Sequence, residues 1–359
     1  MSHMFQVSLA PDFPLSDVSE IGCRLAASKG VHPGFTPASV GALDLGALFY
    51  AQHQGWSLVV LPDRNLVSRM ARIAREGAVA KRDKPTQFAC DLMAFCQAMD
   101  IQLEPSIAFH ELAACDGNRA AQQELGWFRA ADHGNGARPW VELAMGRLEK
   151  VELGSPEEPE LADLAFPLKR WHRNYIVCLK IAALALELRT PLDRALELLR
   201  WMYEDFQIAG PAAIFALFYM APANAHRSLM RRLRASNRDE AIAGIKNAAW
   251  DVTHLSDFVQ RVGQADTERR RYFFATADES LSAVTPVLFS SLESSAGTRS
   301  LADFLQTVWP EQHALELTKA LRRYVETKGD WNRPTPRFGS GTVPRAIIEG
   351  EDFVRAWAP

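Results

Sequence analysis

One short apolar run sets the framework of this chain. Residues 58–61, with the sequence LVVL, are uniformly hydrophobic; Pro62 ends the run and Asp63 follows directly. A run of this length that begins just after Gly55 and stops at a proline predicts a buried strand of the kind found in parallel sheets. Ligands of such sheets bind outside the carboxyl ends of the strands, so we expect Asp63 to face a functional cleft.

Three later segments place an acidic residue in a comparable setting. Glu111 follows an apolar run in SIAFHELAA, Asp251 lies in the amphipathic segment NAAWDVTHLSDFV, and Asp278 follows the aromatic strand in RYFFATADESL. Carboxylate oxygens favour hard cations such as Mg²⁺ or Mn²⁺, whereas Zn²⁺ favours Cys or His ligands, which these motifs do not share. Carboxylates crowded into one cleft repel one another, and a divalent cation relieves that repulsion. The sequence therefore predicts that Asp63 and the three later acids form one Mg²⁺ or Mn²⁺ site.

Composition narrows the class of protein. At 359 residues the chain can form one large domain with an insertion or two ordinary domains. Its net charge of -3 means that a bound nucleic acid would need a local basic patch. Five irregularly spaced cysteines without a CxxC pair predict reduced thiols in a cytoplasmic protein. The sequence has no signal-peptide pattern and no apolar stretch of the roughly 20 residues that a membrane span needs, so we expect no membrane partner.

Two groups of arginines are candidate phosphate contacts. Arg64 and Arg69 come just after the first acid, followed by Arg72, and could grip a nucleic-acid backbone near a metal ion. The second group recurs at helical spacing and predicts a basic stripe along one helix; its members are Arg227, Arg231, Arg234 and Arg238. A solvated charged face is the alternative explanation of this stripe.

The composition and the spacing of apolar residues change along the chain. Residues 1–45 are rich in turn-forming Pro and Gly and are predicted to be an N-terminal extension. From about residue 161 to 237 nearly every segment has helical apolar spacing, so residues 132–238 are predicted to be a helical insertion that forms a buried bundle. The flanking ranges 46–131 and 239–290 are predicted to form one α/β domain that the bundle interrupts. Residues 291–359 are predicted to be a C-terminal helix and loop tail.

The acidic motifs, taken in order, resemble those of the PIN-like nuclease domain. VVLPDRN, FHELAA, AAWDVTHLSDF and FFATADESL are similar to the first, second, third and fourth motifs of that family. The resemblance implies that Asn65 and Thr276 have supporting roles near the metal. It also implies that the metal ligands and catalytic acids are Asp63, Glu111, Asp251 and Asp278. The likeness covers roughly residues 50–130 and 240–290. Compact family members have an earlier first acid and a shorter stretch between the second and third motifs.

The resemblance implies a fold and a reaction. The fold would be α/β, a PIN-like three-layer arrangement with a central parallel sheet, interrupted by a large all-helical insertion. The protein would be a metal-dependent endoribonuclease in which a metal-activated water cleaves RNA phosphodiester bonds, with DNA as an open alternative. Family members often act as toxins or defence effectors, which would imply a protein regulator or antitoxin; a homo-oligomer is also compatible.

Two other functions stay open at the level of sequence. One is a non-catalytic PIN-like scaffold that binds a protein partner through its helical insertion. The near-neutral charge and the size of the insertion favour it. The other is a helical interaction protein in which the four acids never converge.

Overall fold

The computed structural model of the chain describes residues 8–76, 83–133, 137–151, 155–156, 162–222, 226–290, 300–327 and 340–358. The chain forms two compact units. Unit 1 comprises Met1–Phe166 and Asp257–Ser282, and unit 2 comprises Pro167–Ser256 and Ala283–Pro359. Parts of the predicted C-terminal tail, 291–299 and 328–339, lie outside the described residues.

Most of the described chain is helical, with a small mixed sheet, so the protein belongs to the mixed α/β class. Its helices and strands, in chain order, are α1 (Leu15–Ser28), β1 (Val31–Pro33), α2 (Leu45–His53), β2 (Ser57–Pro62), α3 (Arg64–Glu76), α4 (Lys84–Ala98), β3 (Gln102–Leu103), α5 (Ser106–Asp116), α6 (Asn118–His133), α7 (Ala137–Ala144), α8 (Lys169–Leu186), α9 (Pro191–Glu204), α10 (Gly210–Tyr219), α11 (Arg238–Glu268), β4 (Arg270–Ala275), α12 (Glu279–Val284), α13 (Leu301–Leu305), α14 (Glu311–Glu326) and α15 (Val343–Ala356). Short 3₁₀ turns cover Arg227–Met230, Thr285–Phe289 and Ser340–Thr342.

The sheet of unit 1 has the strand order β1-β4-β2-β3. β2 pairs in parallel with both β3 and β4, so that Val60 lies opposite Leu103 on one side and Phe273 on the other. β1 is antiparallel to β4, with His32 opposite Phe274. The chain leaves β2 to form β3 on one side and returns to form β4 on the other. The carboxyl ends of β2 and β4 therefore flank a topological switch point, where open α/β sheets bind their ligands.

Both faces of β2 and β4 are covered, which explains the apolar runs at 58–61 and 272–275 within them. Leu58, Val60 and Phe273 belong to a core that they share with side chains of α1 and α3 to α7. On the opposite face, the ring of Phe274 lies 5.7 Å from that of Phe258 in α11. The strand predicted from residues 58–61 is thus confirmed, and all but the first residue of β2 is buried.

The N-terminal region was predicted to be an extension with one helix over residues 16–29; the helix is present as α1, but the region is integrated in unit 1. α1 packs on α4, and β1 forms an edge of the sheet. Residues 132–166, predicted as the start of the helical insertion, are part of unit 1. The helices α13 to α15, predicted as part of a C-terminal tail, are part of unit 2. None of the five cysteines forms a disulfide bond, and three of them are buried. Among the described residues, no helix combines the length and hydropathy of a membrane span.

Unit 2 is built from helices around α8, most of whose residues are buried. The buried amide of Asn174 in α8 donates a 3.0 Å hydrogen bond to Thr253 in α11. The hydroxyl of Tyr175 donates a 2.6 Å bond to the Glu351 carboxylate in α15. These polar links help to fix the orientation of the helices, because a misplaced helix would leave the groups unsatisfied.

Candidate functional site

Asp63 occupies the junction between β2 and α3. Its backbone N–H continues the sheet by donating to the carbonyl of Ala275 at 2.9 Å. Its Oδ1 accepts the N–H of Leu66 at 2.9 Å, which caps the first turn of α3. Only 4% of the residue is exposed. The sequence pattern of a strand, a proline and an acid therefore puts a buried carboxylate at the carboxyl edge of the sheet.

Thr276 links this carboxylate to the backbone of Asp278. The Thr276 hydroxyl donates a 2.6 Å hydrogen bond to Asp63 Oδ2, and Thr276 Oγ1 accepts the backbone N–H of Asp278 at 3.0 Å. Asp278 Oδ1 in turn accepts the N–H groups of Ser280 and Leu281 at the start of α12. Two of the predicted acids and the predicted supporting threonine are thus brought together at the switch point between β2 and β4.

The other two predicted acids lie on other elements. Glu111 is half-buried in α5 of unit 1, the helix that follows β3. Asp251 is half-buried in the part of α11 that belongs to unit 2. Burial raises the pKa of the Cys178 thiol, and the neighbouring Asp251 carboxylate raises it further. Within the described ranges, no three side chains among His, Cys, Asp and Glu are arranged to hold one metal ion. Convergence of all four acids on one ion stays a prediction.

Unit 1 contains a cavity of about 900 Å³, and Asn65, two residues after Asp63, is one of its lining residues. Along α3 it is lined by Ser68, Arg69 and Arg72, and α6 contributes Glu124 to its wall. The predicted supporting residue Asn65 and the predicted phosphate contact Arg69 therefore share this cavity.

Two arginines of α3 at or near this cavity have protein partners. Arg64 is paired with Glu124 at 2.9 Å, and Glu124 also accepts the Ser68 hydroxyl. Arg69 donates to the Thr86 hydroxyl at 3.2 Å and lies 3.8 Å from Asp83. Arg64 and Arg69 therefore have protein partners that a bound phosphate would have to replace or share.

The predicted basic stripe needs a correction. The segment is not one helix, because a single 3₁₀ turn ends at Met230 and α11 begins only at Arg238. Between them Arg231 is extended and Arg232 has a left-handed backbone with φ of 59°. The helical spacing of the arginines is therefore not expressed as one face.

Two of these arginines hold the backbone of unit 2. Arg238 donates to the carbonyls of Leu233, Ala235 and Val354, and Arg234 donates to the carbonyl of Ala185. Both guanidinium groups lie over the ring of Trp357, 5.0 Å from its centroid for Arg238 and 5.8 Å for Arg234. Arg238 therefore stabilises the structure of unit 2, and its predicted contact with nucleic acid stays a prediction.

Gly30 supports the site but was not predicted from the sequence. Its carbonyl accepts the Thr276 N–H at 2.9 Å, and a Cβ at this position would lie 2.5 Å from the Thr276 carbonyl oxygen. Only glycine permits this close approach of two backbones. The local sequence signal is a glycine just after the end of α1, which indicates a turn but not a contact with Thr276.

Comparison with protein-family models, with curated proteins and with solved structures found no match to this chain. The function is therefore inferred from the geometry at the edge of the sheet and from the sequence motifs that form it.

Proposed function

We propose that the chain is a metal-dependent endoribonuclease whose site lies at the carboxyl ends of β2 and β4. The observation that carries the proposal is the hydrogen-bonded series from Asp63 through Thr276 to Asp278 at the topological switch point. The parallel strands β3, β2 and β4, with helices against both faces, support a PIN-like three-layer arrangement in unit 1.

The donor atoms at this edge suit a hard divalent cation. Asp63, Asp278 and Thr276 supply only oxygen, which matches Mg²⁺ or Mn²⁺. Mg²⁺ commonly keeps several waters and binds through one or two carboxylates together with substrate phosphates. Two carboxylates are therefore a sufficient protein contribution, with Glu111 and Asp251 as the further ligands that their motifs predict.

The protein residues would position the reacting groups. Thr276 orients the Asp63 carboxylate, and the helix caps formed by Asp63 and Asp278 hold both acids on rigid elements. Arg69 and Arg72 line the adjoining cavity, where they would bind phosphates of the RNA backbone. A divalent cation bound by the acids would lower the pKa of a bound water and stabilise the oxygens of the phosphodiester displacement.

The resemblance to the PIN-like family also suggests where the protein acts and in which role. We infer a cytoplasmic enzyme that acts on RNA as a toxin or defence effector, under the control of a protein regulator. The alternative is a non-catalytic scaffold that binds a protein partner through its helices. One observation favours it: both carboxylates already serve as helix caps, a structural role that needs no metal.

The two functions can be distinguished by substitutions that remove a carboxylate charge but retain the helix cap. Asparagine caps helices about as well as aspartate, so Asp63→Asn and Asp278→Asn should keep the fold. We expect each to lower Mn²⁺-dependent cleavage of a mixed-sequence RNA by about 100-fold or more. Asp44→Asn is the matched control, because Asp44 caps α2 in the same unit away from the site. Wild-type cleavage by Asp63→Asn and Asp278→Asn would reject the nuclease.

Calorimetric titration with Mn²⁺ provides the second test. The nuclease should release heat that Asp278→Asn abolishes and Asp44→Asn retains. A scaffold should show no difference among the three proteins. Glu111→Gln and Asp251→Asn extend the series, and loss of Mn²⁺ binding in either folded variant would assign that residue to the metal site, as its motif predicts.

A further inference from the structure

The cavity beside the proposed metal site has room for more than a phosphate group. It encloses about 900 Å³ and is lined by α3, α6 and the end of α5, all in unit 1. Small-molecule sites have volumes of roughly 300–1,000 Å³, so a whole nucleotide fits within this one. The side chains that line it therefore bear on which nucleotide it accepts.

One face of α6 supplies an aromatic surface to this cavity. Ala120, Gln123, Glu124 and Trp127 recur at the spacing of one helix face, and all four line the cavity. Trp127 is half-buried and packs against the core of unit 1, which holds its indole in place. A fixed aromatic ring at the wall of a polar cavity is a surface on which a nucleobase can stack.

The end of α5 supplies a carboxylate to the same cavity. Asp116 is the last residue of α5, is exposed and lines the cavity. A carboxylate at the carboxyl end of a helix meets the negative end of the helix dipole. The structure describes every residue of α5, and its last turn has no basic side chain to offset this cost. Local stability therefore does not account for an aspartate at this position.

A carboxylate next to a stacking surface discriminates among the four bases. Ionised carboxylates only accept hydrogen bonds, and their two oxygens can take two parallel donors. Guanine presents two adjacent donors on its Watson–Crick edge, N1–H and N2–H. Adenine and cytosine present one amino group each on that edge, and uracil presents one N3–H. Guanine is therefore the base that one carboxylate binds best.

We propose that this cavity selects a guanine nucleotide, whose base stacks on Trp127 and donates from N1–H and N2–H to Asp116. Arg72, exposed on the α3 wall of the cavity, would bind the phosphate of that nucleotide. The identity of the ligand as a guanosine within an RNA substrate rests on the proposed function. Binding of a free guanine nucleotide does not require the metal site.

The four nucleoside 5′-monophosphates are the probes for the first experiment, titrated calorimetrically in low salt with EDTA present. We expect GMP to bind at least about 10-fold more tightly than AMP, CMP or UMP, and Asp116→Asn to remove this preference. Asp100→Asn is the matched control: Asp100 is exposed in the same unit, lines a separate cavity and has φ of 50°, which asparagine tolerates. Absent GMP binding, or a preference that Asp116→Asn retains, would overturn the proposal.

Inosine monophosphate tests the paired hydrogen bonds on the wild-type protein. IMP lacks the N2 amino group of GMP and keeps N1–H, O6 and N7. It should bind the wild type about 10-fold more weakly than GMP, and the two should bind Asp116→Asn equally. Equal binding of IMP and GMP to the wild type would contradict a carboxylate that takes both donors.

Two substitutions at Trp127 test the stacking. Trp127→Phe keeps an aromatic ring and should retain most of the GMP affinity. Trp127→Leu removes the ring and should weaken all four nucleotides by about 10-fold or more. Thermal unfolding verifies that both variants are folded. Equal affinities of the phenylalanine and leucine variants would show that no base stacks there.

Stability measurements separate recognition from folding. Asp116→Asn should unfold at the same temperature as the wild type or higher, because it removes a charge that the helix dipole disfavours. A lower midpoint would mean that Asp116 supports the fold instead. Asp278→Asn should bind GMP in EDTA as the wild type does, so failure of the nuclease proposal and failure of this one remain distinguishable.

Discussion

The hydroxyl of Thr276 donates a 2.6 Å hydrogen bond to Asp63 Oδ2, although the two residues are 213 positions apart in sequence. Thr276 is 1% exposed and Asp63 is 4% exposed, so water does not readily replace either partner. Through this contact, the strand that precedes Asp278 is tied to the first acidic motif.

Replacing Thr276 by valine tests that contact. Valine keeps the shape of threonine but leaves the buried Asp63 oxygen without this donor, which should cost about 1–3 kcal/mol in the free energy of unfolding. It should also lower Mn²⁺ affinity by about 10- to 100-fold, the usual effect of losing a group that orients a metal ligand. Chemical denaturation and calorimetry measure the two effects.

Thr276→Ser is the matched control for this prediction, since serine retains the hydroxyl. It should bind Mn²⁺ much more like the wild type than Thr276→Val does. Equal behaviour of the serine and valine variants would show that the hydroxyl does not orient the carboxylate.

Gly30→Ala should distort the same edge of the sheet. The added Cβ would lie 2.5 Å from the Thr276 carbonyl oxygen and 2.9 Å from the Phe88 ring, so the backbone must shift. Overpacking of this kind costs about 1–3 kcal/mol. Thermal unfolding should show a lower midpoint, and cleavage should fall with it because Thr276 moves.

Gly263→Ala provides a control of opposite sign. Gly263 lies inside α11, and a Cβ there meets no atom within 4 Å. Alanine in a helix is more stable than glycine by about 0.5–1 kcal/mol. A stabilised Gly30→Ala variant, or a destabilised Gly263→Ala variant, would contradict this account of the two glycines.

His32 predicts a pH dependence of stability. Burial lowers the pKa of His32 from about 6.5 to about 4, and its Nε2 lies 3.0 Å from the Ser282 hydroxyl. Between about pH 4 and pH 6.5, His32 binds a proton in the unfolded chain but not in the folded chain. His32 therefore removes stability as the pH falls from about 6.5 towards 4, by up to about 3 kcal/mol.

Asp132 acts in the opposite direction over nearly the same range. Burial raises the pKa of Asp132 to about 6, so its folded form holds a proton that the unfolded chain has released, and stability falls as the pH rises from about 4 to 6. The two effects partly cancel in the wild type. Denaturant titrations at pH 4.5 and 7 should therefore show stability falling with pH in His32→Gln and rising with pH in Asp132→Asn.

Arg24 should be essential to the packing of α1 on α4. It donates from Nε and Nη2 to the two carboxylate oxygens of Asp91, at 3.0 and 2.7 Å, and the Asp91 side chain is 4% exposed. Arg24→Leu would leave a buried carboxylate without its cation and should cost about 3 kcal/mol or more. Equilibrium unfolding in urea measures the loss.

The double variant Arg24→Leu with Asp91→Leu distinguishes loss of a pair from loss of packing. Removing both charges should recover much of the stability lost in the single variant, because no unpaired charge remains in the core. A double variant less stable than Arg24→Leu would show that Asp91 stabilises the fold through its other contacts, such as the hydrogen bond from Gln87 Nε2 at 2.8 Å.

The local features of the candidate site were evident in the sequence. An apolar run, a proline and an acid predicted the end of β2 and the cap of α3, and the TxD pattern after an aromatic strand predicted the positions of Thr276 and Asp278. Such features follow from the periodicity and capping preferences of neighbouring residues, which operate over a few positions.

Tertiary structure alone decided which of these features meet. The parallel pairing of β2 with β4 brings Thr276 to Asp63, and the approach of Gly30 permits it, while Asp251 belongs to unit 2. The regular spacing of Arg227 to Arg238 predicted one helix, but the segment turns, and Arg234 and Arg238 instead donate to backbone carbonyls of unit 2. Local sequence specifies backbone conformation over a turn or two, whereas contacts between distant segments depend on how helices and strands bury their apolar surfaces together.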